Sequence, residues 1–250
     1  MAFINDAPMI DFEGDENVVL DLGDVQADPN LEANVWLVGR VLSPKRVIGG
    51  IFRSVMLRLW ETRNCKEIRH VGPNLFSFEF GSPKDRDLFL RSGPWLFDRH
   101  LVVLDVFDIS KDPLQIPLTR IPFWIQVHGL PYTLRTENIA KLLGGSFDGY
   151  LGWDKYEAHR YGYYLRIRAW VNVNAPLRRG QMVATRGGAP LRVTFKYEKL
   201  VNFCFRCGRL DHVLSICKGE AYGGNLRYGA WLRAEEETPV GGTRNRGHGE

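Results

Sequence analysis

The chain has 250 residues, of which 44% are hydrophobic, 25% charged and 12% aromatic, enough for one large or two small domains with buried cores. It holds no run of about eighteen apolar residues, so no membrane span is expected, and its first residues lack the basic flank and apolar run of a signal peptide. The formal net charge of +4 conceals a division: residues 1–32 carry nine acidic and no basic groups, leaving 33 basic against 20 acidic, or +13, in the remainder.

Residues 1–32 have few aromatics, scattered Pro and Gly and dense acid, and are expected to form a disordered tail. Such a tail reads either as a competitor for the basic body or as a solvated leader. Order is expected from Asn34 to Leu42, where branched and aromatic residues predict a strand. Ser43-Pro44 then reads as a helix start, and Val47, Ile48, Ile51, Phe52, Val55 and Leu59 recur at helical spacing to about Trp60. Two short strands follow, Lys66–Val71 and Leu75–Phe80, around the turn residues Gly72-Pro73-Asn74. Ser82-Pro83 with Asp85 opens a second helix that closes at Gly93-Pro94, and Trp95–Phe97 with Leu101–Phe107 supplies the last strand.

The order β-α-β-β-α-β over residues 33–110 is the ferredoxin-like arrangement shared by RNA-recognition modules. Trp36 lies where such a module keeps an aromatic. With Phe76, Phe78 and Phe80 facing the helices, however, Leu75, Ser77 and Glu79 would face outward without stacking aromatics. The expectation is a recognition-module fold with a degenerate RNA face.

Asp108–Arg120 reads as a linker into a second, smaller α+β unit over residues 111–200. Phe123–Pro131 is a strand and turn, Thr133–Leu143 a helix ended by Gly144-Gly145, and Phe147–Trp153 another strand. Tyr163–Val173 and Leu191–Tyr197 are long strands, with Arg178 and Arg179 in a Gly- and Pro-containing loop between them. If these two strands are neighbours, Arg166, Arg168, Trp170, Arg192 and Lys196 share one face, either a basic surface for phosphates and a base or an ordinary solvated sheet face.

Residues 201–218 carry the most specific signal. Cys204, Cys207, His212 and Cys217 stand at Cys-x2-Cys-x4-His-x4-Cys spacing and hold three of the chain's four cysteines. Three thiolates and one imidazole suit tetrahedral Zn²⁺, with Gly208 after the second Cys favouring the tight turn and no ligand position left for water. The zinc is expected to be nearly the whole core of this segment. This cysteine usage points to a reducing compartment, and Cys65 stands alone. Residues 219–250 become Gly-, Arg- and Glu-rich, with Arg244 and Arg246 near the end, and read as a flexible tail.

The stretch from Cys204 to Cys217 resembles the retroviral-type zinc knuckle, including Phe205 and Gly208. Asp211 stands where such knuckles usually have Gly, a departure expected to weaken metal affinity because Asp tolerates left-handed backbone less well. Across roughly residues 31–217 the chain also resembles a plant family of uncharacterised domains placed ahead of a zinc knuckle, common in open reading frames derived from retrotransposons without long terminal repeats. Gly93–Asp98, Phe123–Pro131, and Lys196–Leu200 leading into Phe203-Cys204 carry that resemblance, with Val201 departing from a usual Pro. It implies nucleic-acid and zinc binding.

Together these readings predict a non-catalytic, zinc-dependent binder of single-stranded RNA or DNA, with RNA favoured. Phe205 and Val213 would form a platform for an unpaired base, and Arg206, Arg209 and Lys218 would meet phosphate. The alternative is a protein-assembly module that self-associates. No phosphate loop, nucleophile elbow or His-Glu-x-x-His pair is present, and His70, His100, His128 and His159 are scattered, so neither an enzyme nor a small-molecule substrate is expected. The expected location is intracellular, nuclear or cytoplasmic.

Overall fold

Phe76, Phe78 and Phe80 alternate with Leu75, Ser77 and Glu79 along one strand, and that alternation sets the first sheet. The computed structural model describes residues 35–60, 64–156, 163–184, 188–219 and 226–235. The expected acidic tail and the arginines near the end of the chain lie outside these residues. In the first half β1 (Trp36–Val41), α1 (Gly49–Trp60), β2 (Cys65–Gly72), β3 (Leu75–Phe80), α2 (Pro83–Ser92), β4 (Trp95–Phe97) and β5 (His100–Val106) follow in order. Their strands form an antiparallel sheet ordered β2-β3-β1-β5-β4.

The three phenylalanines face both helices, as expected, and pack with Phe52, Met56 and Trp60 of α1 and Phe89 of α2. Phe52 stacks on Phe76 with ring centroids 4.0 Å apart, and Trp60 meets Phe89 edge-on at 4.6 Å. Each such buried ring contributes about 1.5–3 kcal/mol. Ser82 caps α2 by accepting from the Asp85 amide, with Pro83 in the first turn.

Helix α1 departs from expectation at both its start and its face. It begins at Gly49 because the Asn74 side chain fixes the preceding loop, accepting from Val47 N and donating to the Ser43 and Lys45 carbonyls. Its buried face is Phe52, Met56 and Trp60, since these larger side chains reach the aromatic core. Ile48, Ile51, Val55 and Leu59 are left between 41% and 66% exposed. The expected last strand is a hairpin, β4–β5, turned by Asp98 and Arg99 at φ +45° and +60°.

The opposite face of this sheet is also buried at its centre, on β1, β3 and β5. Trp36, Val38, Leu75, Ser77, Leu101 and Val103 are all nearly inaccessible. Leu101 and Val103 belong to the core of the second half.

That half comprises β6 (Arg120–His128), α3 (Glu137–Gly144), β7 (Tyr150–Trp153), β8 (Tyr164–Asn172), β9 (Gly180–Val183) and β10 (Leu191–Tyr197). The sheet is antiparallel and ordered β7-β8-β6-β10-β9. Strand β9 lies where a loop was expected: four residues are too few to show an alternation, and pairing with Leu191–Thr194 is what makes them a strand. Phe123, Ile125, Val127, Leu165, Ile167, Val193, Phe195 and Tyr197 fill the face toward α3. Among the described residues no helix is long and apolar enough to cross a membrane.

The halves are joined by more than the linker. Trp170 packs against the first core, and Arg168 donates to the carbonyls of Arg91 and Gly93 at the C-terminal end of α2. A guanidinium there satisfies orphan carbonyls and complements the helix dipole.

Candidate metal centre

Strand β10 runs through Glu198–Asn202 into the Cys-rich loop, which closes on itself by paired backbone bonds. Gly208 N donates to Cys204 O at 2.8 Å, and Cys204 N donates to Arg209 O at 2.9 Å. Gly208 sits at φ +78°, the left-handed conformation expected after the second Cys. A Cβ on it would lie 2.5 Å from the Tyr228 ring, so close packing demands glycine as well. A short 3-10 turn, Leu214–Ile216, then returns Cys217 to the other ligands.

The donor atoms of Cys204, Cys207, His212 and Cys217 all lie within 4.8 Å of one another. Cys207 Sγ is 3.3 Å from His212 Nε2. Tetrahedral zinc with bonds of about 2.0–2.3 Å separates its ligands by about 3.5–3.8 Å, so this Cys₃His set fits Zn²⁺. Bound there, the metal would supply a structural cross-link at four protein ligands. Burial pushes the Cys207 thiol up to about 11, while the Gly219 amide, followed by His212, draws Cys217 down to about 6. A dication offsets the cost of a half-buried thiolate at Cys207.

Asp211 takes a different part from the one expected. Its backbone is not among the left-handed residues, so the anticipated strain at this position is absent. Its Oδ1 accepts from His212 Nδ1 at 2.7 Å, and its carboxylate is held by Arg209 at 2.5 and 3.1 Å. A carboxylate on the outer nitrogen fixes the tautomer and leaves Nε2 for the metal.

Nor is zinc nearly the whole core here. Phe203, Cys204 and Leu210 are buried within the second half's core, joined by Tyr228 and Leu232 from beyond the knuckle. Residues 226–235, expected to be flexible tail, instead return as a strap. Ala234 N donates to Tyr197 O, Tyr228 N donates to Phe205 O, and Arg233 bonds the carbonyls of Leu200 and Val201. Tyr228 and Leu232 were the apolar signal for this strap within a Gly-rich, polar stretch.

The knuckle residues expected to meet nucleic acid are variously placed. Phe205 is half-buried, 4.9 Å from the Phe203 ring, with Arg233 over it. Arg206 laces the loop through the carbonyls of Cys217 and Gly219, and Arg209 holds Asp211. Val213 is half-buried; Lys218, Leu214 and Ile216 are exposed.

On the sheet, β6 lies between β8 and β10, so the two long strands are not neighbours. Arg166, Arg168, Trp170, Arg192 and Lys196 still project to one face, joined by Trp124, Gln126 and His128 of β6. The alternation of Phe123, Ile125 and Val127 could have revealed these three. Arg166 is committed to Asp154 and Glu198 at 2.8 and 2.7 Å and lies 4.0 Å from the Trp124 ring centroid. Burial opposes its charge, but the two carboxylates hold its pKa above the usual arginine range. Lys196 approaches Glu235 at 3.6 Å. Burial, then Lys196 and Arg135, push His128 below the ordinary histidine value. Arg192 is exposed and, among the described residues, its side chain has no hydrogen bond or ion pair.

Comparison with known proteins follows this division. The family described as a domain of unknown function (DUF4283) matches residues 30–115, which contain the first sheet. The family described as a zinc knuckle matches residues 171–219, taking in β9 and β10 as well as the four ligands. Uncharacterized protein At4g02000 of Arabidopsis thaliana is 26% identical over 129 residues, which span 51% of this chain but only 40% of that protein. No solved structure matches. The chain is therefore similar, in order, to that domain of unknown function and to a zinc knuckle.

Proposed function

We propose that the protein is a non-catalytic, zinc-dependent binder of single-stranded nucleic acid, with RNA as its natural partner. The observation that carries this reading is the convergence of four zinc-type donors in a loop built into a basic body. Zinc knuckles commonly bind nucleic acids, and the match over residues 171–219 supports the same use here. Retrotransposon descent and action inside the cell, in nucleus or cytoplasm, are part of this proposal and rest on the family resemblance.

The zinc-fixed loop presents Val213 with exposed Leu214 and Ile216 to an unpaired base, and Lys218 to phosphate. Phe205 is covered by Phe203 and Arg233 and is left out of this surface. We read the first half as ferredoxin-like, a reading supported by its β-α-β-β-α-β order and antiparallel pairing. Its second face is buried at the centre, so it acts as scaffold.

Fluorescence anisotropy with labelled single-stranded RNA tests the proposal. Zinc-loaded protein should bind with a salt-dependent affinity that falls at least tenfold on chelation or in Cys207→Ser and His212→Ala. Equal affinity in all four samples would sink it. Competition with single-stranded DNA and with duplex then ranks the partners.

A second reading, self-assembly, is favoured by one observation: the row of exposed apolar side chains on α1. Light scattering on the full chain tests it, and a strict monomer at high concentration counts against it.

A further inference from the structure

Beside the knuckle, at the β9–β10 edge, lies an open groove of about 490 Å³. Arg178, Arg179, Gln181, Met182, Arg192 and Tyr228 line it, and among the described residues no acidic side chain does. Arg178 is structural: its guanidinium bonds Ser146 O and Gln181 Oε1 and lies over Phe147. Arg179 and Arg192 keep donors for a ligand. Arg179 makes one long bond, 3.4 Å to Arg227 O, with its guanidinium over the Tyr228 ring, and Arg192 has no partner among the described residues.

The backbone beneath these arginines is fixed by the sheet. Tyr197 Oη, wholly buried, donates to Arg178 O at 2.8 Å, and Phe195 N donates to Arg179 O at 3.1 Å. Both walls are also tied to the zinc loop. Leu177 N donates to Gly208 O at 2.9 Å on one side, and Tyr228 N donates to Phe205 O at 3.2 Å on the other. Gly208 lies directly against the Tyr228 ring.

We infer that this groove is a second subsite for the same nucleic-acid strand, taking its phosphodiester backbone on Arg179 and Arg192 and a sugar or base edge against Tyr228 and Met182. The inference rests on the nucleic-acid reading above. Cationic side chains without competing carboxylates suit a polyanion, and an open groove suits a flexible strand. Because both walls hang on Phe205 and Gly208, the subsite is complete only while the knuckle is folded around its metal. Zinc then governs nucleic-acid affinity at two places.

The test uses the full zinc-loaded chain with Arg179→Gln/Arg192→Gln, whose zinc content should equal that of the wild type. Affinity for a twelve-nucleotide single strand should fall about tenfold. The slope of log affinity against log salt should flatten by about 1.4, the value for two lost phosphate contacts. Binding within twofold of the wild type with the same slope overturns the groove while leaving the knuckle reading intact. A parallel titration with tripolyphosphate, followed through the Gly180 and Met182 amide resonances, separates the two failures. If the wild type binds no oligonucleotide but shows saturable shifts that the double variant loses, the nucleic-acid reading fails and the anion site stands. Absence of such shifts overturns the site.

Discussion

The two sheets are built on one plan and finished differently. Each has its first strand in the centre, β1 or β6, flanked by the later strands in the same order: β2-β3-β1-β5-β4 against β7-β8-β6-β10-β9. Each places a helix after the central strand, α1 or α3. The first sheet then supplies α2 between its third and fourth strands; the second has only the short segment 173–179 there. Phe203 and Leu210 of the knuckle, with Tyr228 and Leu232 of the strap, complete the core of that helix-poor half. The zinc loop therefore serves as a structural layer of the second sheet as well as the proposed binding surface. Where apolar side chains suffice to close a sheet, no metal is needed; where a helix is missing, a metal-fixed loop can cover the gap.

Removing zinc is the largest expected break in this comparison. Structural zinc stabilises small folded units by about 10–16 kcal/mol, far more than any one side chain here. Chelation should accelerate hydrogen exchange at the Leu177 and Leu210 amides, bonded to Gly208 O and Val173 O, by orders of magnitude. The amides of β1 and β3 should keep their protection. Equal loss in both sheets, or in neither, would refute the division.

Trp36→Ala comes next, because it asks whether the first sheet has any free face. Trp36 is 4% exposed, so truncation should cost about 3–5 kcal/mol in urea unfolding and leave RNA affinity of the folded protein unchanged. A stacking residue would behave oppositely, losing about 1–3 kcal/mol of binding with little loss of stability.

These contrasts also show what the chain made legible. The metal ligands were readable because three thiols and an imidazole rarely fall at such short, regular spacing unless one ion gathers them. Phe76, Phe78 and Phe80 declared their face by alternation. The knuckle's integration was only faintly marked: Tyr228 and Leu232 are isolated apolar residues beyond the ligands in a polar stretch, and tertiary packing recruits them. The helical period of α1 was visible, but two apolar stripes ran along it, and core volume decided between them in favour of Phe52, Met56 and Trp60. Asp211 looked like a defect in a motif until His212 Nδ1 was seen to face it. The arginines of β8 looked like a surface, yet Arg166 and Arg168 are held by groups distant in sequence.

Arg168 tests the joint between the halves. Its bonds to the Arg91 and Gly93 carbonyls are charge-assisted, and the one to Gly93 is partly buried. Burial, followed by repulsion from Arg166, lowers its pKa from the usual arginine value. Arg168→Ala should destabilise the protein by about 2–3 kcal/mol in urea unfolding. An unchanged midpoint together with weaker RNA binding would return this side chain to the nucleic-acid surface.

The smallest expected effect on stability is at Ile51, where the two functional readings part. Ile51 is 53% exposed on the outer stripe of α1, so Ile51→Lys should change unfolding free energy by no more than about 0.5 kcal/mol. If that stripe is an assembly surface, one buried, unpaired ammonium should abolish a dimer seen by light scattering while RNA affinity per chain stays the same. If the wild type is already a monomer and the substitution changes nothing, the stripe is ordinary exposed apolar surface. Function then lies with the second sheet and its knuckle. The single substitution therefore weighs assembly against nucleic-acid binding without disturbing either core.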